Sequence, residues 1–241
     1  MFKKIKNLVQ ENRNRHIVTQ KRLDEIIWAN VYHDSIKGIP ELNDLNLNIG
    51  RFAGNYSFFY LLNRILNDYK PNKILEFGLG ESSKFVFNMI VKNQIHVNQY
   101  HIYEQDDNWL SDFLKKNDRP KNADIFCLPI IEKKIFGFPV KMYDGFDKKN
   151  ISKFDFYLID GPNGSEHYSR YDLVYAIDSL EKNDEFIILL DDYNRPGEVE
   201  TANVVVQLLN KKNITFKTKI YKGLKDQLII ATSKYYNILS V

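Results

Sequence analysis

Cysteine is nearly absent, and the single Cys127 excludes an internal disulfide and any cysteine cluster for zinc, which fits a reducing compartment. No apolar run approaches the roughly 18 residues of a membrane span. The apolar stretch within the opening MFKKIKNLVQENRNR is also too short for a secretory signal, so the expected location is cytoplasmic. Excess charge of one sign is lacking as well. With 34 Lys and Arg against 31 Asp and Glu, the net +3 argues against a nucleic-acid partner, and no Arg-rich or aromatic-interleaved tract offsets that. The lysine-rich start reads as a solvated helix, with contact to anionic lipid or an acidic partner as the other reading. No Pro/Gly/Ser-rich linker divides the 241 residues, so one core is expected, over 71–241, behind a helical extension or lid over 1–70.

What is present has a regular order. Leu23, Ile26, Ile27 and Val31 recur at helical spacing in TQKRLDEIIWANV, predicting a helix that docks through this stripe. It also offers a surface for homo-oligomer formation. A second helix is expected from about Asn55 to Tyr69, stopped by Pro71. Beyond it, strands KILEF, QYHIYE, DIFCLPI, FDFYLID and EFIILLD alternate with helical segments, YSRYDLVYAIDSLEK among them. The piece around Gly137, Pro139 and Gly145 reads as irregular. Such alternation predicts a doubly wound, Rossmann-like α/β fold with a mostly parallel sheet covered on both faces. The chain then ends on two adjacent strands, TFKTKIY and QLIIAT, separated only by a turn at Gly223.

The stretch EFGLGESS carries Gly78 and Gly80 between a strand and a helix, where a backbone can approach a ligand and helix N–H groups are free. Ser83 stands where a dinucleotide fingerprint needs its third glycine, which weakens a nicotinamide reading. Glu104, about 25 residues past the glycines, sits where a carboxylate accepts ribose hydroxyls. Asp106 and Asp107 suit the cap of the next helix. Asp160 ends the fourth strand, and Asp191 and Asp192 end the fifth, so three acids should converge on one sheet edge and need a cation or proton to offset them.

With its closing antiparallel hairpin and seven strands, the chain resembles class I S-adenosylmethionine (SAM) methyltransferases. That resemblance implies SAM as cofactor, with Glu76 holding its amino-acid end, and Gly78, Gly80, Ser82, Ser83, Glu104 and Asp160 around it. Over roughly Ile74 to Val199 the chain is similar to glucuronoxylan-type polysaccharide O-methyltransferases, at Gly78, Gly80, Glu104, Trp109, Asp160, Gly161, Pro162, Gly164, Asp192 and Arg195. In that family the first member of the acidic pair is His, so Asp191 departs from it. The acids also resemble those of metal-dependent sugar O-methyltransferases, which implies Mg²⁺ or another divalent cation on Asp160, Asp191 and Asp192.

Methyl transfer to a hydroxyl needs a base, for which His167 and Asp160 are the candidates. Arg170, on a helix expected to be exposed, and Arg195 suit an anion on the acceptor, with Tyr193 beside them. Arg51 and Tyr56 in GRFAGNY are candidates for a lid. The expected activity is O-methylation of a sugar hydroxyl, or a glycan acceptor, in bacterial surface polysaccharide (capsule or lipopolysaccharide) synthesis. A small phosphorylated metabolite as acceptor, a nicotinamide or nucleotide-sugar oxidoreductase, and a non-catalytic SAM-binding module are the alternatives.

Overall fold

The computed structural model describes residues 2–50, 53–92, 94–148 and 151–240. Helix α1 (Phe2–Ser35) is one continuous element of 34 residues. A short α2 (Pro40–Asn43) and α3 (Tyr56–Arg64) follow, and α3 runs on as a π turn to Tyr69 before Pro71 ends it.

Five parallel strands then form: β1 (Lys73–Phe77), β2 (Gln99–Glu104), β3 (Ala123–Cys127), and, after a separate hairpin β4 (Ile130–Ile135) and β5 (Phe138–Tyr143), β6 (Phe156–Ile159) and β7 (Ile187–Leu190). Helices α4 (Glu81–Val91), α5 (Asp107–Leu114) and α6 (Asp172–Ala176) lie between them, and α7 (Pro196–Lys211) follows β7. Strands β8 (Phe216–Tyr221) and β9 (Gln227–Thr232) close the chain as an antiparallel pair, and β9 inserts antiparallel to β7. The sheet order is β3-β2-β1-β6-β7-β9-β8. This is the doubly wound seven-stranded sheet with a C-terminal hairpin that the strand order predicts.

The central strands β6 and β7 are apolar throughout because both faces are covered, and side-chain alternation sorts the sheet into two cores. Ile74, Phe156, Leu158, Ile187, Leu189 and Ile229 pack beneath α3 and α4, with Tyr32 of α1 in the same cluster. Leu75, Phe77, Tyr157, Ile159, Ile188 and Ile230 face Leu173, Ala202, Val205 and Leu209 on the other side. The segment ahead of Pro71 is therefore built into one layer of the core from Tyr32 onward.

Three local expectations change. The piece around Gly137 is a regular β-hairpin whose turn residues Phe136 and Gly137 have φ of 50° and 92°, the left-handed pair that suits a two-residue hairpin. Pro139 hid it, being a residue that interior strands exclude. The helix expected over YSRYDLVYAIDSLEK contracts to Asp172–Ala176, because Tyr168 and Arg170 adopt φ of 47° and 59°. In α1, Leu23, Ile26 and Ile27 are 50–59% exposed, whereas Glu25, Trp28 and Tyr32 on the opposite face dock onto the body. Apolar periodicity located the helix, but the polar anchors Glu25 and Trp28 together with buried Tyr32 chose its inner face.

At the carboxyl edge, β1 and β6 run into turns that touch. Gly78 has φ +92°, and a carbon added at Gly161 would lie 2.6 Å from Gly78 N and 2.7 Å from its Cα. By contrast, an added carbon at Gly80 would meet nothing within 4 Å. Gly161→Ala is expected to push the two backbones apart and cost about 1–3 kcal/mol in urea unfolding, while Gly80→Ala leaves stability unchanged.

Candidate functional site

A cavity of about 700 Å³ opens at this edge, within the range of small-ligand sites. Its floor is Gly78–Ser82, and its walls include Glu104–Asp106, Trp109 and Tyr143 on one side and Asp160–Asn163 on the other. Asn48, Ile49, Gly50, Ala53 and Gly54 cover it from the N-terminal part of the chain. Of the two lid candidates, Arg51 lies outside the described residues. Tyr56 packs on Tyr32 and His33 away from the cavity lining, so residues 48–50 and 53–54 form the cover. Glu81, in the first turn of α4, holds that cover by accepting hydrogen bonds from Asn48 N and Nδ2, both at 3.1 Å.

Glu104 reaches the cavity with its carboxylate oriented by backbone. Its Oε2 accepts from Leu79 N at 2.8 Å, and its Oε1 accepts from Gln105 N and Asp106 N at 2.7 and 2.9 Å. Trp109 lies beside it, half exposed, its indole N–H donating to Leu79 O at 2.7 Å. Asp106 caps α5 by accepting from Asn108 N and Trp109 N.

The glycine-turn acids and serines divide differently. Glu76 is fully buried, and its two oxygens accept from Ser82 Oγ and Tyr100 OH. It does not line the cavity, so the expectation that it holds a ligand amino group gives way to a role beneath the floor. Burial pushes its carboxyl up to about 7, against the lowering effect of Ser82, Tyr100 and Ser83. Ser82 does line the cavity; Ser83 is buried and accepts from Gly80 N at 3.1 Å, fixing the turn into α4. Tyr100 carries no motif, and its place on β2 facing β1 is the only signal for it.

The three strand-end acids converge, with oxygens within 4.8 Å of one another. Their charge is met by protein cations. Arg170, expected on an exposed helix, is 3% exposed and buried behind them. Its NH2 group lies 3.2 Å from Asp160 Oδ1 and 2.6 Å from Asp192 Oδ2, and its NH1 group donates to the carbonyls of Ile159 and Asp191 at 3.3 and 2.8 Å. Lys225 Nζ stands 3.5 Å from Asp191 and 3.6 Å from Asp192. Gln227 donates to Asp191 Oδ1 at 2.8 Å and to Asn55 Oδ1 at 2.7 Å. Lys225 lies in the turn before β9 and Gln227 begins the strand, whose reversed direction brings that end to the carboxyl edge of the parallel strands. No spacing rule marks them in the sequence.

Burial, followed by the charge of Asp191, raises the Asp160 carboxyl well above the ordinary carboxylate value, while Arg170 and Lys225 pull it back. Burial and the charge of Asp192 likewise raise Asp191. Asp160 keeps a side chain 17% exposed and faces the cavity, whereas Asp191 and Asp192 are buried. Arg170 is too deep behind the three acids to read an anion on an acceptor. Arg195 remains half exposed, 3.1 Å from Asp192 Oδ1, and Tyr193 packs partly against the core. His167 is not brought to the cavity: its Nδ1 lies 3.1 Å from Glu200 and its ring sits 4.0 Å from that of Phe138.

The fold is shared with solved structures of low sequence identity. The O-methyltransferase TomG from Streptomyces achromogenes, in complex with SAM, matches at 11% identity and TM-score 0.51, over 89% of this chain and 98% of that one. The cofactor-bound protein Rv0187 from MTB matches at 12% identity and TM-score 0.50, over 87% and 88%. The sequence matches no protein-family model and no curated protein.

Glu76 gives a pH signature. Between about pH 4.5 and 7 the folded chain keeps a proton there that the unfolded chain releases, so stability falls as pH rises through that window. Glu76→Gln should flatten the fall by roughly 3 kcal/mol, by the conversion of pKa units into free energy, when urea unfolding is compared across the window.

Proposed function

We propose that this chain is a SAM-dependent O-methyltransferase. The observation that carries the reading is Gly80. Its backbone, with φ of −170°, asks for no glycine, and no protein atom crowds it, yet it lies on the cavity floor between Glu104 and Asp160. Space kept open at that point suits a ligand laid across the strand ends. The SAM complex named for TomG supports the same cofactor on the same fold. The inserted antiparallel β9, with Ser83 in place of a third glycine, weighs against a nicotinamide site.

In this reading bound SAM supplies an electrophilic methyl group. Glu104 accepts the ribose hydroxyls, its carboxylate already aligned by three backbone N–H groups. Trp109 and Asp106 border the nucleoside, and residues 48–50 and 53–54 keep water from the reacting atoms. Asp160 accepts the proton of the acceptor hydroxyl on the oxygen that Arg170 leaves free. Its raised affinity for a proton, produced by burial and Asp191, makes it a better base than an ordinary carboxylate. Arg170 steadies the resulting charge distribution by holding Asp160 and Asp192 together. The acceptor we favour is a sugar hydroxyl of a surface polysaccharide precursor, on the sequence resemblance, with half-exposed Arg195 as the group for an anionic substituent.

A divalent cation would have to displace Arg170 and Lys225 from the three acids, because those cations already lie against the oxygens that would ligate it. The residues present fit internal ion pairing better than a hard metal, so no step here uses one.

Calorimetry with SAM and its demethylated product tests the cofactor: micromolar binding is expected, weakened at least tenfold in Gly80→Ala, and no binding by a folded sample would refute the reading. In transfer assays Asp160→Asn should lower kcat by about 10²–10⁴ with SAM affinity nearly unchanged. His167→Ala should stay within about threefold of the parent, since a general-base effect is far larger, and a chelator should not alter the rate.

A further inference from the structure

Helix α1 projects from the body. Residues 2–20 are all exposed, and inward contacts begin only at Lys21. Within Phe2–Arg22 there are seven Lys and Arg against the single Glu11, while the rest of the chain holds 27 bases against 30 acids. The positive charge of the molecule is therefore concentrated on this helix, on an otherwise slightly acidic body.

Seven exposed apolar residues of α1 share one face, while exposed Ile17 and Val18 lie off it. At about 100° per residue, Phe2, Ile5, Leu8 and Val9 share an arc, and Leu23, Ile26 and Ile27 fall on its continuation. These side chains are 50–90% exposed. The arc runs about 38 Å at 1.5 Å per residue, with Asn12, His16 and Thr19 between its two apolar ends. Lys4, Arg15 and Arg22 border it on one side, and Lys6 and Arg13 on the other.

The body attaches on the opposite side. Trp28 donates from its indole N–H to Lys222 O at 2.8 Å, Glu25 accepts from Tyr56 N at 2.8 Å and Asn55 Nδ2 at 2.7 Å, and Tyr32 is buried in the core. Rigid polar anchoring on one face thus leaves the apolar face pointing away from the molecule. A second copy of the helix is a poor occupant. Self-pairing would bring the five bordering bases of each copy together, against only Glu11 and Asp24 as acids along that border.

We propose that α1 is an interfacial helix that lays its apolar face into an anionic lipid surface. The apolar side chains enter the headgroup boundary, the flanking Lys and Arg meet lipid phosphates, and the body is carried above the surface on Trp28 and Tyr32. No helix of the described residues is long and apolar enough to cross a membrane, which agrees with attachment in the plane rather than insertion across it.

Vesicle co-sedimentation of the full chain tests this. Binding is expected to vesicles of phosphatidylcholine with about one-third phosphatidylglycerol and to fall at least tenfold on pure phosphatidylcholine or in about 0.5 M salt, where charges are screened within a few ångströms. The combined Lys4→Glu, Lys6→Glu, Arg13→Glu and Arg15→Glu variant should lose binding, as should Ile5→Asp with Ile26→Asp. Both should retain parental SAM calorimetry, which separates this test from the proposed activity. Equal partition onto neutral vesicles, no partition onto anionic ones, or a stable dimer that the Ile5 and Ile26 substitutions dissociate would overturn the proposal. The salt and lipid comparisons use the unaltered chain, so they decide the matter even where a variant fails to fold.

Discussion

The buried guanidinium of Arg170 is the constraint on which the site depends. Two parallel strands, β6 and β7, end side by side in Asp160, Asp191 and Asp192, and three carboxylates brought so close repel one another strongly in a medium that screens poorly. Arg170 binds two of them and the backbone carbonyls of Ile159 and Asp191 as well, so one planar group ties both strand ends together. Its own backbone, and that of Asp192, take up left-handed conformations with φ of 59°. Non-glycine residues resist that region, so the ion pairing holds the backbone where local preference would not.

From this point the two functions of the edge separate. Asp191 and Asp192 sit behind, paired with Lys225 and Gln227, and they set the electrostatic background. Asp160 stands in front, facing the cavity, and inherits a raised proton affinity from them. Across the cavity Glu104 is arranged in the opposite manner, with three backbone N–H groups directed at its carboxylate. Surroundings alone thus raise the proton affinity of one carboxylate and fix the orientation of the other.

Much of this was legible in the sequence, and the limits have physical causes. Strand order, the closing hairpin and the positions of Glu104, Asp160, Asp191 and Asp192 follow from alternation, strand-end placement and spacing, all of which are local properties. Glu76 misleads because its position on β1 says which strand end it precedes, but not that Tyr100 from the neighbouring strand would consume its second oxygen. Arg170 looked exposed because its segment reads as a helix. Left-handed turns at Tyr168 and Arg170 instead fold it inward, and no residue preference announces them. Lys225 and Gln227 reach the site only because β9 runs backwards, a fact of topology that no spacing encodes.

The attachment of α1 also bears on the order in which the molecule can be made. Trp28 finds Lys222 at a separation of 194 residues, and Glu25 meets Leu224 at 199. Both partners are synthesised roughly 200 residues after the helix, so it waits through all of the intervening chain for its seat. During that interval its inner aromatic face is as bare as its outer one. Contacts this distant are slow to close and favour unintended associations before they do. The β8–β9 turn therefore seats this helix as well as completing the site: it ends the period in which α1 can bind whatever it meets.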